Sequence, residues 1–228
     1  MEDITLNYLI IFISILITTL SQIFISLAYS KYKKILNNKD LSGYDVARKI
    51  LDSNNLDNIM ILETRGNLTD HYDPQRKVIK LSTDIYHGSS SSVAAVGVAA
   101  HECGHAIQDK MKYTPMRIRS TLVPFVNICT RIGYLAIVIG IIFSYTLIEV
   151  GIALLLSMLV FQLITLPVEF NASHRAIKEL ERLNLIDEEE KSSAKNMLIA
   201  AAFTYVASVL STLLEILRYA LIFNDRDR

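Results

Sequence analysis

The segment "VAAHECGHAIQ", Val98–Gln108, sets His101, Glu102 and His105 inside a run that is otherwise mostly small or apolar. Its reading decides the fold. Residues 93–109 contain no proline, and their alanines favour a helix. On a helix His101 and His105 stand one turn apart and project from the same face. That spacing lets two imidazole nitrogens reach one ion at about 2.0–2.1 Å. Glu102, next to the first imidazole, then lies beside the ion, where it can hold a water and take its proton. Zinc acidifies such a water towards neutral pH. Gly104 leaves room where a substrate or another backbone approaches. Without a metal, three polar or ionisable groups so close together would be costly to bury. A shuffled chain of this composition would show H-E-x-x-H with a probability of only about 0.005.

The chain has 228 residues, 51% of them hydrophobic, and a formal net charge of zero. That balance suggests no nucleic-acid partner. Cys103 and Cys129 are the only cysteines, too few for a disulfide framework or a thiolate metal site, and both read as small apolar residues. The apolar residues are gathered into long runs. Ile4–Tyr29 is uncharged, and longer than the roughly 20 residues that cross a bilayer. Acidic residues precede it and "SKYKK" follows, which suits a retained anchor rather than a removable signal peptide. Leu122–Ile148, Val150–Val168 and Met197–Phe223 are three further candidate spans, with Arg131, Glu215 and Arg218 inside them. Glu215 and Arg218, three apart on one helix, are placed to neutralise each other, and Arg131 needs water or an acid.

Four spans imply a division into an anchor (1–30), a catalytic segment (31–121), a transmembrane hairpin turning near Glu149 (122–168), a helical segment (169–196) and a last span (197–228). Of the 23 Lys and Arg, all but Arg131, Arg218, Arg226 and Arg228 fall in the two segments 30–121 and 169–196. By the positive-inside rule both face the cytoplasm, with both termini outside. The hairpin thus returns the chain to the face that carries His101. Within residues 31–121 the pattern is α+β. Ser42 with Asp45 reads as a capping box opening a short helix that ends near Asn54. "NIMILET", "LTDHYD" and "KVIKLS" read as three strands of a small meander. The serines after Gly88 cap a helix from about Val93, and Asp187 with Glu190 caps another.

A catalytic zinc takes three protein ligands and keeps an open position. His71, His87, His174 and Glu169 are the remaining candidates. Glu169 is placed just past Pro167, where the third span is expected to break, on the same side of the membrane. "LTDHYD" also reads as an edge strand on which an extended peptide can be added; His71 is taken as an exposed strand residue.

"AAHECGHAIQ", "DHYDPQRKVIKLS" and "LPVEFNASHRA" together resemble the neutral zinc metallopeptidases of bacterial membranes, the YugP-like family, over most of the chain. They resemble more distantly the HtpX and prenyl-protein endoprotease type, in which H-E-x-x-H pairs with a downstream E-x-x-A-D. The resemblance implies a zincin-like, gluzincin-type site: His101, His105 and Glu169 on one Zn²⁺, Glu102 as general base. It implies an endopeptidase of the bacterial plasma membrane, acting on peptides or membrane proteins at the cytoplasmic surface. Where the distant relatives have an aspartate four residues past the third ligand, this chain has Ser173, which can orient a ligand histidine only weakly. Asn171, His174 and Arg175 are candidates for holding an oxyanion. Two other classes compete: a silent scaffold stiffened by metal, and a zinc sensor or transporter. An intact Glu102 argues against the first, and ligands outside the spans argue against the second.

Overall fold

The structure, a computed structural model, describes residues 2–66, 69–87 and 91–226. Its elements are α1 (Glu2–Tyr32), α2 (Gly43–Ser53), β1 (Met60–Thr64), β2 (His71–Asp73), β3 (Val78–Ser82), α3 (Thr83–Tyr86), α4 (Val93–Lys110), α5 (Thr114–Phe143), α6 (Tyr145–Arg182) and α7 (Glu188–Arg226). The fold is mainly helical with one small sheet. Four helices are long and apolar enough to cross a membrane: Thr5–Tyr32, Thr114–Phe143, Tyr145–Arg182 and Glu188–Leu221. The chain divides into two compact units, one of Met1–Ile23, Ile118–Leu166 and Phe203–Arg228, the other of Phe24–Arg117 and Pro167–Ala202.

The first unit consists of the long apolar helices. Phe12, Ile15, Phe125, Ile142 and Leu213 stand exposed along them, as a face that meets lipid requires. α5 and α6 approach closely through small residues. A Cβ on Gly151 would fall 2.7 Å from the Gly133 carbonyl, and one on Gly140 would fall 2.6 Å from an Ile148 side-chain carbon. This packing sets the hairpin's register, so the turn falls at Ser144 and not near Glu149, which lies inside α6. Glu215 and Arg218 do not pair with each other, contrary to expectation. Glu215 accepts from the hydroxyls of Tyr134 (3.0 Å) and Tyr219 (3.4 Å). The Arg218 guanidinium lies 4.3 Å from the centre of the Tyr219 ring, because tyrosine offers both a hydroxyl and a π face. Arg131 lines a cavity of about 380 Å³ in which Asn127, Thr130, Gln162 and Ser208 are polar neighbours among apolar walls.

The second unit is built around α4. Val93, Ala94, Ala95, Val96, Ala99, Ala100 and Cys103 are all fully buried, and a helix apolar on every side belongs in a core. Ser92 caps its start, the hydroxyl accepting from the Ala95 amide at 3.2 Å. Gly88–Ser90, part of the expected serine cap, lie outside the described residues. α2 opens with the Ser42–Asp45 capping box and ends at Asn54. Of the Asp187–Glu190 cap, one half forms: the buried Glu190 accepts from the Asp187 amide at 2.8 Å, and also from Asn38.

The sheet is not a meander. Its order is β1-β3-β2, with β2 antiparallel to β3 and β1 parallel to it. β3 takes the centre because Val78, Ile79, Leu81 and Ser82 are all buried, whereas β1 buries only Ile61 and β2 only Tyr72. The β2–β3 turn is fixed by the Asp73 carboxylate, which accepts from the Gln75 and Arg76 amides, and by Lys77 at φ 52°. Expected strand residue Leu68 lies outside the described residues. α6 runs through Pro167 unbroken. A proline removes one donor from a helix, a loss that helices of membrane proteins tolerate.

Candidate metal centre

α4 carries His101 and His105 on one face, their rings edge-to-face with centroids 4.8 Å apart. The carboxylate that meets them comes from α6. Glu169 Oε2 lies 3.2 Å from His101 Nε2 and 3.5 Å from His105 Nε2. One ligand atom from each of the three lies within 4.8 Å of the others. Two helices can come this close because Gly104 faces Ala172: a Cβ there would fall 2.5 Å from the Ala172 carbonyl oxygen. The room that Gly104 leaves is thus filled by backbone. Among the described residues this is the one group of three or more His, Cys, Asp or Glu so placed.

The far nitrogens of both rings are held. The chain of bonds behind His105 has only one possible polarity, and it starts at Arg175, a guanidinium that only donates. Arg175 Nε lies 2.7 Å from Asn171 Oδ1, so that atom accepts. Gln108 Nε2 donates to the same oxygen at 3.0 Å and to the Val168 carbonyl at 2.8 Å. The Gln108 amide is thereby locked, with Oε1 turned to His105 Nδ1 at 3.0 Å. An amide oxygen only accepts, so His105 carries its hydrogen on Nδ1 and presents the lone pair of Nε2 to Glu169. For His101 the Ser173 hydroxyl lies 3.1 Å from Nδ1, where a hydroxyl can accept in the same sense. Two imidazole nitrogens and a carboxylate oxygen converge at one point. That donor set suits zinc.

Glu102 is 6% exposed. Burial pushes its carboxyl up to about 7, with the His101 ring offsetting part and the Glu169 and Asp70 carboxylates adding to it. The backbone amide of Tyr72, in β2, also favours its charged form, so Glu102 and the edge strand are neighbours. Tyr72 is anchored in turn: its hydroxyl donates to Asp109 at 2.7 Å, at the end of α4.

The other candidates lie elsewhere. His71 is exposed on the edge strand with Nδ1 2.8 Å from the Thr69 carbonyl. His87 meets Glu63 at 3.1 Å. His174 is exposed and faces a groove between α6 and α7. Asn171 and Arg175 are engaged in fixing Gln108. Both cysteines are free and buried. Gln108 escaped the sequence reading, although it stands three residues after His105, where one helix face brings it back to the imidazole.

Fold and site together are those of a multi-pass membrane protein with a His–His–Glu cluster able to hold one metal ion. The sequence matches the family described as "Putative neutral zinc metallopeptidase" over residues 7–224. It is 42% identical over 201 residues to "Putative membrane protease YugP" of Bacillus subtilis (strain 168), covering 87% of this chain and 88% of that protein. No solved structure matches the chain significantly. The chain belongs to this neutral zinc metallopeptidase family.

Proposed function

We propose that the chain is a zinc-dependent endopeptidase of the bacterial plasma membrane, with His101, His105 and Glu169 as ligands and Glu102 as general base. The observation that carries this is the convergence of the His101 and His105 Nε2 atoms on the Glu169 carboxylate, with a hydrogen-bonding partner behind each ring. Zinc, when bound there, supplies Lewis acidity that polarises a peptide carbonyl and acidifies water. Glu102 takes the proton of the attacking water and passes it to the leaving amine. Burial of the Glu102 side chain raises its proton affinity, which suits a group that takes a proton and then gives it up. Gln108 and Ser173 keep the imidazoles in the tautomer that binds metal. Substrate lies in extended form along β2, whose outer edge is open and whose Tyr72 amide neighbours Glu102.

The excess of Lys and Arg in segments 30–121 and 169–196 supports a cytoplasmic site with both termini outside. A reporter fused to the carboxyl terminus should then read as extracytoplasmic. The division into anchor, catalytic segment, hairpin, ligand helix and last span follows the same topology. The decisive variant is Glu102→Gln. It should retain zinc and lower peptide cleavage by roughly 10²–10⁴-fold, the share of a general base. Cleavage unchanged in E102Q would refute the mechanism and favour a scaffold; zinc lost on dialysis at neutral pH would favour a sensor.

A further inference from the structure

A groove of about 400 Å³ runs between α6 and α7 in the second unit, and neither the metal cluster nor the edge strand uses it. Its two ends differ. Phe170 and Ile199, both at least two-fifths exposed, make one end apolar. Lys178 and Lys195 stand exposed at the other. A third lysine there, Lys191, is already paired with Glu181 at 2.5 Å. Lys178 and Lys195 have no such ion pair among the described residues, so the free charge at that end is positive.

The groove is joined to the candidate site by one residue. Ser173 lines it and also holds His101 Nδ1. From Phe170 to Glu181 the helix rises roughly 16 Å, the length of about five residues of extended peptide. From Phe170 to Lys178 the rise is about 12 Å, or nearly four such residues. Large apolar side chains left open beside a reactive centre, followed at a fixed distance by unpaired cations, are complementary to a peptide that presents the same order with opposite charge.

We propose that this groove is a specificity subsite for peptide substrate, taking a large apolar side chain at its Phe170–Ile199 end and, about four residues away, an acidic one between Lys178 and Lys195. The proposal rests on the peptidase reading of the metal cluster. Its consequence is a preference for acidic over basic sequence at one distance from the apolar anchor. A negatively charged lipid headgroup is the rival occupant, since it too pairs an apolar tail with an anion.

The test uses the full-length, zinc-loaded protein in detergent and three internally quenched peptides alike except at one position, with a leucine and, four residues away, Asp, Asn or Lys. The wild type should cleave the Asp peptide with a kcat/KM about 10-fold above the Lys peptide, the difference lying in KM. In the K178E/K195E variant the order should invert, with the Asn peptide cleaved as by the wild type. Equal cleavage of the Asp and Lys peptides, or a preference that survives K178E/K195E, overturns the proposal. A second readout needs no turnover. The labelled Asp peptide should bind E102Q, and about 10-fold more weakly once K178E/K195E is added. Lysine-dependent binding with none of the peptides cleaved would uphold the groove and refute the peptidase reading. Peptide binding indifferent to the lysines, with K178E/K195E instead abolishing attachment to phosphatidylglycerol vesicles, would assign the groove to lipid and overturn the proposal.

Discussion

Replacing Gln108 by leucine tests how the imidazoles are oriented. The two side chains have similar volume, so the core around residue 108, which is fully buried, keeps its packing. What disappears is the amide. His105 Nδ1–H loses its acceptor, while the Val168 carbonyl and Asn171 Oδ1 each lose a donor. Asn171 still receives Arg175 and Val168 is a helical carbonyl, so the stranded group is chiefly the imidazole N–H. One buried unsatisfied donor costs about 1–3 kcal/mol. The imidazole can relieve that cost by moving its hydrogen to Nε2, which destroys the ligand lone pair. Zinc binding should therefore weaken by about 10–100-fold, the usual effect of removing a residue that orients a ligand. A chelator-competition titration of Q108L reads the affinity, and thermal unfolding of the metal-free protein reads the stability separately. Q108E provides the counter-check, because its carboxylate still accepts from Nδ1–H while repelling the Val168 and Asn171 oxygens. It should hold zinc at least as tightly as the wild type yet unfold at lower temperature. If Q108L binds zinc with wild-type affinity and loses only stability, Gln108 is packing and the tautomer argument is wrong.

Three further outcomes follow from the same geometry. Gly104→Ala puts a Cβ 2.5 Å from the Ala172 carbonyl, so α4 and α6 must separate; both zinc affinity and melting temperature should fall, by more than the gain of about 1 kcal/mol that helix propensity alone would give. Ser173→Ala should weaken zinc only a few-fold, and Ser173→Asp should strengthen it, as chelator competition will show, because a carboxylate accepts more strongly from His101 Nδ1–H. In the metal-free protein Glu102 titrates near 7 when folded, against about 4.3 unfolded. The folded state therefore binds the extra proton, and this group's contribution falls as pH rises through that window, by roughly 4 kcal/mol in all. Metal-free E102Q should accordingly melt above the wild type at pH 8 and close to it at pH 4; the reverse order would show that Glu102 is not buried as described.

The parts of the site that were legible in the sequence are those that depend on local spacing. His101, Glu102 and His105 follow from one helical turn, and the Ser42 and Ser92 caps from side chains acting within three residues. The four spans were legible because a run of some 20 apolar residues admits few other readings. What escaped depends on contacts between distant segments. β3 lies at the sheet centre because both its faces are covered, and alternation along a five-residue strand says nothing about which neighbours it takes. The hairpin turn moved to Ser144 because glycines on two helices interlock, while the sequence offered Glu149 as the more visible polar break. Gln108, Asn171 and Arg175 read separately as an unremarked polar residue and two oxyanion candidates. Only with α6 laid against α4 do they form one directed line of hydrogen bonds.

The most direct test of the whole account is X-ray absorption at the zinc edge on the purified full-length protein, together with its metal content. One zinc per chain, bound by two imidazole nitrogens and a carboxylate oxygen at about 2.0–2.1 Å, is the predicted result. A third imidazole, a sulfur neighbour, or a spectrum unaltered by Glu169→Ala would contradict it.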